Sequence, residues 1–321
     1  MSTEQVRWGI LGPGRIAARA LADSGRAKNF RVDAVASRDR ARATEFASRF
    51  GIGRVHGSYA ELLADPGVDA VYIGLPNSLH HPVTMQALAG RKHVLCEKPY
   101  SRHPEEVEQA FGVAESSGLV LMEAFMWRHS PQVRRFMELL PEVGELRSIR
   151  ASFSFTLEDR GDVRLEPGLD GGSLMDVGCY CVSGSRLVAG AEPSAVFGIQ
   201  TLAASGVDEG FSGLLRFPSG LVAEIVCGFT SDHRSLEAIG SRGNLHLDDP
   251  WQDQWGGLSL GDRLIPVQSD DAYRLEFENT SAAILGSAKP LLGRADALGQ
   301  ARTIDALYRS AASGSAVSPD A

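Results

Sequence analysis

Three short stretches carry residue types that could do chemistry. Cys96-Glu97-Lys98-Pro99 ends a short apolar run and sets a lysine beside a carboxylate. Pro99 restricts Lys98 to an extended backbone and so can hold its side chain in one direction. A lysine held in this way can hydrogen-bond an oxygen or lower the pKa of a neighbouring acid. In Gly171-Gly-Ser-Leu-Met-Asp176-Val-Gly-Cys-Tyr180 a glycine-rich segment enters a helix. Asp176 and Tyr180 are four apart and share one helical face. Each residue also has a plain reading: a surface lysine, a carboxylate favoured by the helix dipole, a half-buried packing tyrosine. The third stretch is Gly12-Pro-Gly14-Arg15-Ile16-Ala17. Gly12 allows a tight turn, Gly14 lets the backbone approach a pyrophosphate, and small Ala17 lets a helix pack closely on a strand.

The elements that must position these residues alternate. Val6–Leu11, Arg31–Ser37, Ala70–Gly74, His93–Cys96 and Leu119–Glu123 read as strands. Helices are expected at Arg15–Ser24, Arg40–Phe50, Pro82–Ala89 and Pro104–Ser117, with a short one opened by the capping box at Ser58–Glu61. Such alternation predicts βαβ units and a parallel sheet, with Lys98 at its carboxyl edge, where open α/β sheets bind ligands. A helix at Ser130–Leu140 follows, with Ser130 as N-cap and Pro131 in its first turn. From Arg147 onward strand-like runs succeed one another: Arg147–Thr156, Ala195–Leu202, Gly210–Phe217, Leu221–Phe229, Ser235–Gly240 and Asn244–Leu247. Helices near Asp271–Ser287 and Arg294–Ser313 close the chain, and the tail after Gly314 is expected to be mobile. The fold class is therefore α/β: an N-terminal Rossmann parallel sheet, then an α+β domain with an open, largely antiparallel sheet. The boundary is placed near residue 124, giving a dinucleotide-binding domain at 1–123 and a substrate-binding and dimerisation domain at 124–321.

Composition narrows the function. Hydrophobic residues make up 43% and charged residues 22%, as in globular proteins, and the formal net charge is −8. That sign gives no footprint for nucleic acid or an anionic membrane. No apolar run approaches the roughly 20 residues of a membrane helix, and Met1–Arg7 has no hydrophobic signal core, so a cytoplasmic location is expected. Cys96, Cys179, Cys181 and Cys227 are too few and scattered for a disulfide framework and lack partners at metal-ligand spacing. No metal site is expected.

Cofactor choice is read at the end of the second strand. An NAD site would usually place an acidic side chain there for the ribose 2′-hydroxyl. Here the strand ends in Ser37-Arg38, with Asp39 one step later. Arg38 can stack on adenine and pair with a 2′-phosphate, and Ser37 can donate a hydrogen bond. The reading favours NADP over NAD, the other possibility being a solvated Arg38 with Asp39 facing the ribose.

With Pro76-Asn77-Ser-Leu-His80 added, these motifs follow one another along essentially the whole chain. Together they resemble the successive signatures of the glucose–fructose oxidoreductase / inositol dehydrogenase (Gfo/Idh/MocA) family. Met122-Glu-Ala-Phe-Met-Trp127-Arg128 is similar to the branch holding NADP-dependent D-xylose dehydrogenases, dimeric dihydrodiol dehydrogenases and sugar ketoreductases. The resemblance implies an NADP(H)-dependent oxidoreductase that moves hydride between the nicotinamide and a CH–OH/C=O carbon of a sugar or cyclic diol. It implies Lys98, Tyr180 and Asp176 as catalytic residues. It also implies Gly12, Gly14, Arg15, Ile16, Ser37, Arg38, Pro76, Asn77, His80, Glu97, Lys98, Trp127 and Arg128 around the cofactor, and a homodimer formed through the C-terminal sheet. Many members carry histidine in place of Tyr180, which favours the tyrosine-using branch here. Exported members carry a signal and a cofactor-trapping arm; neither is expected here, so the resemblance implies an exchangeable cofactor in the cytoplasm. A non-catalytic NADP-binding regulator on the same fold is the alternative. Arg128, Arg160, Asp162, Arg164 and Trp127 could line a polar pocket, although Glu158–Asp170 also reads as a mobile loop.

Overall fold

A computed structural model describes residues 5–252 and 257–320. Residues 1–4, which hold most of the Met1–Arg7 stretch discussed above, lie outside the described residues. In chain order the first elements are β1 (Val6–Leu11), α1 (Arg15–Ala20), β2 (Phe30–Ala36), α2 (Arg40–Phe50), β3 (Arg54–His56), α3 (Tyr59–Leu63), β4 (Ala70–Ile73), α4 (His80–Ala89), β5 (His93–Glu97), α5 (Pro104–Ser116) and β6 (Leu121–Ala124). They are followed by α6 (Pro131–Leu139), β7 (Leu146–Ser154), α7 (Cys179–Ala189), β8 (Ala195–Leu202), β9 (Asp208–Arg216), β10 (Val222–Gly228), β11 (His233–Gly240), β12 (Gly243–Asp248), β13 (Leu258–Leu260), β14 (Arg263–Ile265), α8 (Ala272–Ile284) and α9 (Arg294–Ser313).

Strands β1–β6 form one sheet in the order β3-β2-β1-β4-β5-β6, parallel at every pairing. This is the doubly wound order of dinucleotide-binding folds, with its switch point between β1 and β4. Strands β1, β4, β5 and β6 are buried along nearly their whole length, on both faces, which explains why they read as largely apolar runs. Local signals set the helix starts. Asp39 caps α2, and Ser58 Oγ caps α3 by accepting from Glu61 N. Ser130 caps α6, with Pro131 in its first turn. The helix expected to run to Ser24 stops at Ala20 and is followed by a separate tight turn, Ser24–Arg26.

The second sheet has the order β14-β13-β12-β11-β7-β10-β9-β8. Its β10–β7 pairing is parallel and the others are antiparallel. Helix α7 packs on β7, β10 and β11. Along β10 the alternation is plain, with Ala223, Ile225 and Cys227 buried and Glu224 and Val226 exposed. The short strands β3, β13 and β14 are too brief to carry a pattern and escape a sequence reading. The tail is anchored: Val317 forms a β-bridge with Val196, with N···O distances of 2.8 and 2.9 Å.

The chain divides into two compact units, and not by a single cut at 123/124. One holds Met1–Ser101, Glu105–Met126 and Asp271–Ala297; the other holds Arg102–Pro104, Trp127–Asp270 and Leu298–Ala321. Helix α8 belongs to the first unit because of what its apolar side packs on. Phe277 lies against Trp8, Phe30 and Tyr72 with ring centroids at 4.8, 5.2 and 5.4 Å. Trp8 Nε1 also donates to Ser281 Oγ at 3.0 Å.

Beside Phe277, Glu276 is wholly buried, and neither of its carboxyl oxygens has a hydrogen-bond partner. Burial, reinforced by the nearby Glu97, holds its carboxyl well above the ordinary value of 4.5. The folded chain therefore keeps a proton that the unfolded chain releases as pH rises past about 4.5, so this group lowers stability increasingly above that pH. Glu276→Gln, which cannot ionise, is expected to have a higher Tm than the parent near pH 8, the gap closing towards about pH 4.5. Thermal unfolding of both proteins across that range checks this, and parallel curves would refute it.

Candidate active site

On the first unit the glycine turn after β1 has the geometry a dinucleotide site requires. Gly12 has φ +89°, and a Cβ there would stand 2.6 Å from Leu75 Cδ2 and 2.9 Å from the Gly74 carbonyl oxygen. Gly14 differs, because a Cβ on it would meet nothing within 4 Å. No protein group requires glycine there, which fits a position kept bare for a phosphate. Ala17 is fully buried against the sheet. No acidic residue stands in the first turn of α1, and no side chain caps it. Arg15 is exposed and Ile16 half-buried beside it.

At the end of β2, Asp39 caps the next helix through one carboxylate oxygen, Oδ1. Its carboxylate accepts from Ala41 N at 2.9 Å and Arg42 N at 3.3 Å, capping α2. Ser37 is buried with its Oγ accepting from Asp39 N at 3.1 Å, while Arg38 is exposed. The residues present therefore suit a 2′-phosphate better than a bare ribose.

The turn that carries Lys98 is tied down at several points. Tyr72 Oη donates to Glu97 Oε1 at 2.5 Å, and Lys98 N donates to Glu97 Oε2 at 3.2 Å. Tyr100 N donates to the buried Glu123 Oε1 at 2.7 Å. The Lys98–Pro99 peptide is cis. His80 is fully buried, with Nδ1 2.9 Å from the Pro99 carbonyl oxygen and Nε2 2.8 Å from that of Leu75. Its imidazole thus joins the segment after β4, which holds Pro76 and Asn77, to the Lys98 turn. Burial lowers its pKa. Of the expected cofactor residues, Glu97 meets Tyr72 Oη and the Lys98 N–H, His80 lies against the Pro99 and Leu75 carbonyls, and Lys98 is half-buried at the sheet edge.

On the second unit, Asp176 sits in a π-helical turn, Leu174–Gly178, that runs into α7, in whose first turn Tyr180 stands. Such turns are frequent at functional sites. Tyr180 is 7% exposed, with its ring against Phe153 at 5.3 Å and Trp251 at 6.0 Å. Trp127 lies behind them, fully buried and edge-on to Trp251 at 5.0 Å. It therefore supports the cluster rather than lining a pocket. Arg128 Nη1 sits 3.5 Å from Ser183 Oγ and over the Trp127 ring. Next to it, burial pushes His129 down to about 3.

Segment 158–170 is built of short turns, Val163–Leu165 and Pro167–Leu169, rather than being a featureless loop. Arg160 is drawn to Glu209 at 2.7 Å. Arg164 reaches Asp176, Nε to Oδ2 at 2.6 Å, and pairs with Asp162 through Nη1 at 3.1 Å.

The start of the Asp176 turn hangs on a residue that sequence reasoning missed. Buried Asp208 accepts from Ser173 Oγ at 2.7 Å, Leu174 N at 2.7 Å and Tyr308 Oη at 2.9 Å. Gly172, at φ +122°, lets it come this close, since a Cβ there would stand 2.2 Å from Asp208 Oδ1. No local pattern announces Asp208, because its partners lie far off in sequence. The cysteines are buried and unlinked, with burial raising the thiols of Cys96, Cys181 and Cys227. Among the described residues no group of three His, Cys, Asp or Glu could hold a metal.

Asp208→Ala would leave three donors without their acceptor in the interior, at a cost of roughly 1–3 kcal/mol for each group left unsatisfied. The variant is expected to lose stability in denaturant titration and to lose kcat beyond what its unfolded fraction explains. Wild-type stability and turnover together would contradict this account of the turn.

Residues 6–125 match an oxidoreductase family with an NAD-binding Rossmann fold, and residues 141–246 match the GFO/IDH/MocA C-terminal domain. The chain is 38% identical to D-xylose 1-dehydrogenase (NADP(+)) 2 of Haloferax volcanii, across 98% of this chain and 99% of that one. It is 34% identical to the mouse trans-1,2-dihydrobenzene-1,2-diol dehydrogenase, across 77% of this chain and 75% of that one. A 3-ketoreductase of Actinomadura kijaniata, solved with NADP and TDP-benzene, superposes with a TM-score of 0.89 at 32% identity, covering 96% of this chain and 98% of that one. Both halves are thus accounted for, and the chain belongs to the GFO/IDH/MocA family of NAD(P)-dependent oxidoreductases.

Proposed function

We propose that this chain catalyses NADP(H)-dependent hydride transfer at a CH–OH/C=O carbon of a sugar or cyclic diol. The observation that carries the reading is the turn after β5. There Lys98 stands at the carboxyl edge of the parallel sheet while its neighbour Glu97 is fixed by Tyr72 and by the peptide N–H of Lys98. Support for NADP comes from the end of β2, where Asp39 is held at the start of α2 through Oδ1 and Arg38 stands exposed as the cation for a 2′-phosphate. Support for a sugar or diol comes from the relatives, whose names span a pentose, a dihydrodiol and a keto-sugar.

Gly12, Gly14, Arg15 and Ile16 would hold the pyrophosphate, Ser37 and Arg38 the 2′-phosphate, and Pro76, Asn77, Lys98 and Arg128 the nicotinamide side. The bound dinucleotide supplies the hydride acceptor or donor. Tyr180 protonates the carbonyl oxygen in reduction and takes the hydroxyl proton in oxidation. A phenol with a reference pKa of about 10 is a poor base at neutral pH without a cation to stabilise its charged form, and Lys98 is assigned to the chemistry beside the nicotinamide as the cation of the reaction. General acid/base assistance of this kind contributes about 10²–10⁴ in rate.

Dimerisation through the open face of the second sheet is part of the same proposal. Ile199, Leu214 and Val226 stand 62, 46 and 49% exposed on that face of β8, β9 and β10. An apolar group of this kind on an open sheet suits a second copy of the chain. Among the described residues no helix is long and apolar enough to cross a membrane, and a cytoplasmic location is proposed.

Absorbance at the reduced-nicotinamide band, with NADP⁺ or NAD⁺ against D-xylose, glucose, inositol and a dihydrodiol, tests cofactor and substrate class together. Lys98→Met and Tyr180→Phe are each expected to lose about 10²-fold or more in kcat while still binding NADPH. Near-parental turnover in either variant would overturn its assigned role. Arg38→Ala is expected to raise KM for NADP⁺ tenfold or so, equivalent to about 1.4 kcal/mol, with little change for NAD⁺. An equal effect on both cofactors would show that Arg38 does not read the 2′-phosphate.

A further inference from the structure

The Arg164–Asp176 pair has a chemistry that neither residue has alone. The Arg164 guanidinium spends Nε on Asp176 and Nη1 on Asp162 and lies over the Phe155 ring, 5.7 Å from its centroid. Its place is further secured through the backbone, since Gly172 N donates to the Arg164 carbonyl oxygen at 2.8 Å. Yet the pair is not sealed in: the two side chains remain 33% and 19% exposed. Asp176, the largest influence on it, holds the guanidinium above its already high pKa, so it is a permanent cation.

A carboxylate only accepts hydrogen bonds and a guanidinium only donates them. A sugar hydroxyl does both. A carboxylate alone would satisfy the hydroxyl proton and leave its oxygen lone pairs unmet, whereas an arginine and a carboxylate locked side by side meet both needs at once. The planar fork, held by Asp162 and Phe155, also loses little freedom when it takes a further partner.

We propose that Arg164 and Asp176 form one binding site for a substrate hydroxyl other than the one oxidised, so that Arg164 selects polyols over simple secondary alcohols. The proposal rests on the reading of the Asp176–Tyr180 turn as the substrate-facing part of the second unit. Arg164 is thereby a substrate-binding residue and Asp162 a positioning residue that acts through it.

The test measures binding apart from turnover. Parent, Arg164→Met and Arg164→Lys are titrated with D-xylose and with its monodeoxy derivatives in the presence of NADPH, following tryptophan fluorescence, since Trp251 packs against Tyr180. kcat and KM are then measured for the same sugars with NADP⁺. The parent is expected to bind D-xylose at least tenfold more tightly than one of the monodeoxy derivatives. In Arg164→Met that preference should disappear, with KM for D-xylose rising at least tenfold and kcat changing less, while Arg164→Lys restores part of it. Unchanged NADPH affinity in both variants shows that they are folded. If the parent oxidises the sugars and Arg164→Met keeps the same preference, this proposal falls and the hydride-transfer reading stands. If the parent neither binds nor oxidises any polyol, the functional reading falls and the proposal with it.

Discussion

Buried carboxylates are the constraint on which the rest of this structure depends. A carboxylate removed from water must be hydrogen-bonded or neutral, because an unpaired buried charge is too costly to keep. Glu97, Glu123 and Asp208 answer that demand by accepting from groups that belong to functional turns. Glu97 and Glu123 grip the segment on either side of Lys98, and Asp208 grips the start of the turn that carries Asp176 and runs into the helix of Tyr180. The groups assigned to chemistry are therefore not stiff in themselves. They stand on short backbone stretches whose N–H groups are claimed from below. Glu276 meets the same demand in the other way, by keeping its proton.

The same economy of polar atoms bears on cofactor choice. The acidic residue that follows β2, Asp39, gives its Oδ1 to the first turn of the next helix. Its two hydrogen bonds hold that side chain at the helix start. Arg38, exposed beside it, is the cation at this end of β2. On the second unit the competition runs among arginines. Arg160 goes to Glu209 and Arg164 to Asp176, so two residues that look alike in the sequence end in different roles.

An aromatic cluster gives the second unit a different kind of rigidity. Tyr180 cannot swing freely, because Phe153 and Trp251 flank its ring and Trp127 backs Trp251. Trp251 is fixed in turn by its Nε1, which donates to the Ser152 carbonyl oxygen at 2.7 Å. Edge-on aromatic contacts of this sort define orientation as well as filling space. Such a setting suits a phenol that must present its oxygen in one direction.

The sequence alone determined whatever is written within a turn or two of chain. Alternating apolar runs and amphipathic stretches announced β1, β2 and β4–β6. Gly12 and Gly14 announced the first turn, and Asp39, Ser58 and Ser130 announced helix starts, because capping and positive φ are satisfied by neighbours a few residues away. The edge position of Lys98 followed from the strand that precedes it. Tertiary structure decided everything that depends on a partner distant in sequence. It set His80 and Glu97 against the groups of the Lys98 turn, buried Trp127, anchored the tail on β8 through Val317, and gave α8 to the first unit through Phe277. It also made Asp208 and Arg164 visible as supports of the Asp176 turn. The reason is physical: packing and the satisfaction of buried polar groups act through space, and nothing in a local pattern says which distant donor will meet which acceptor.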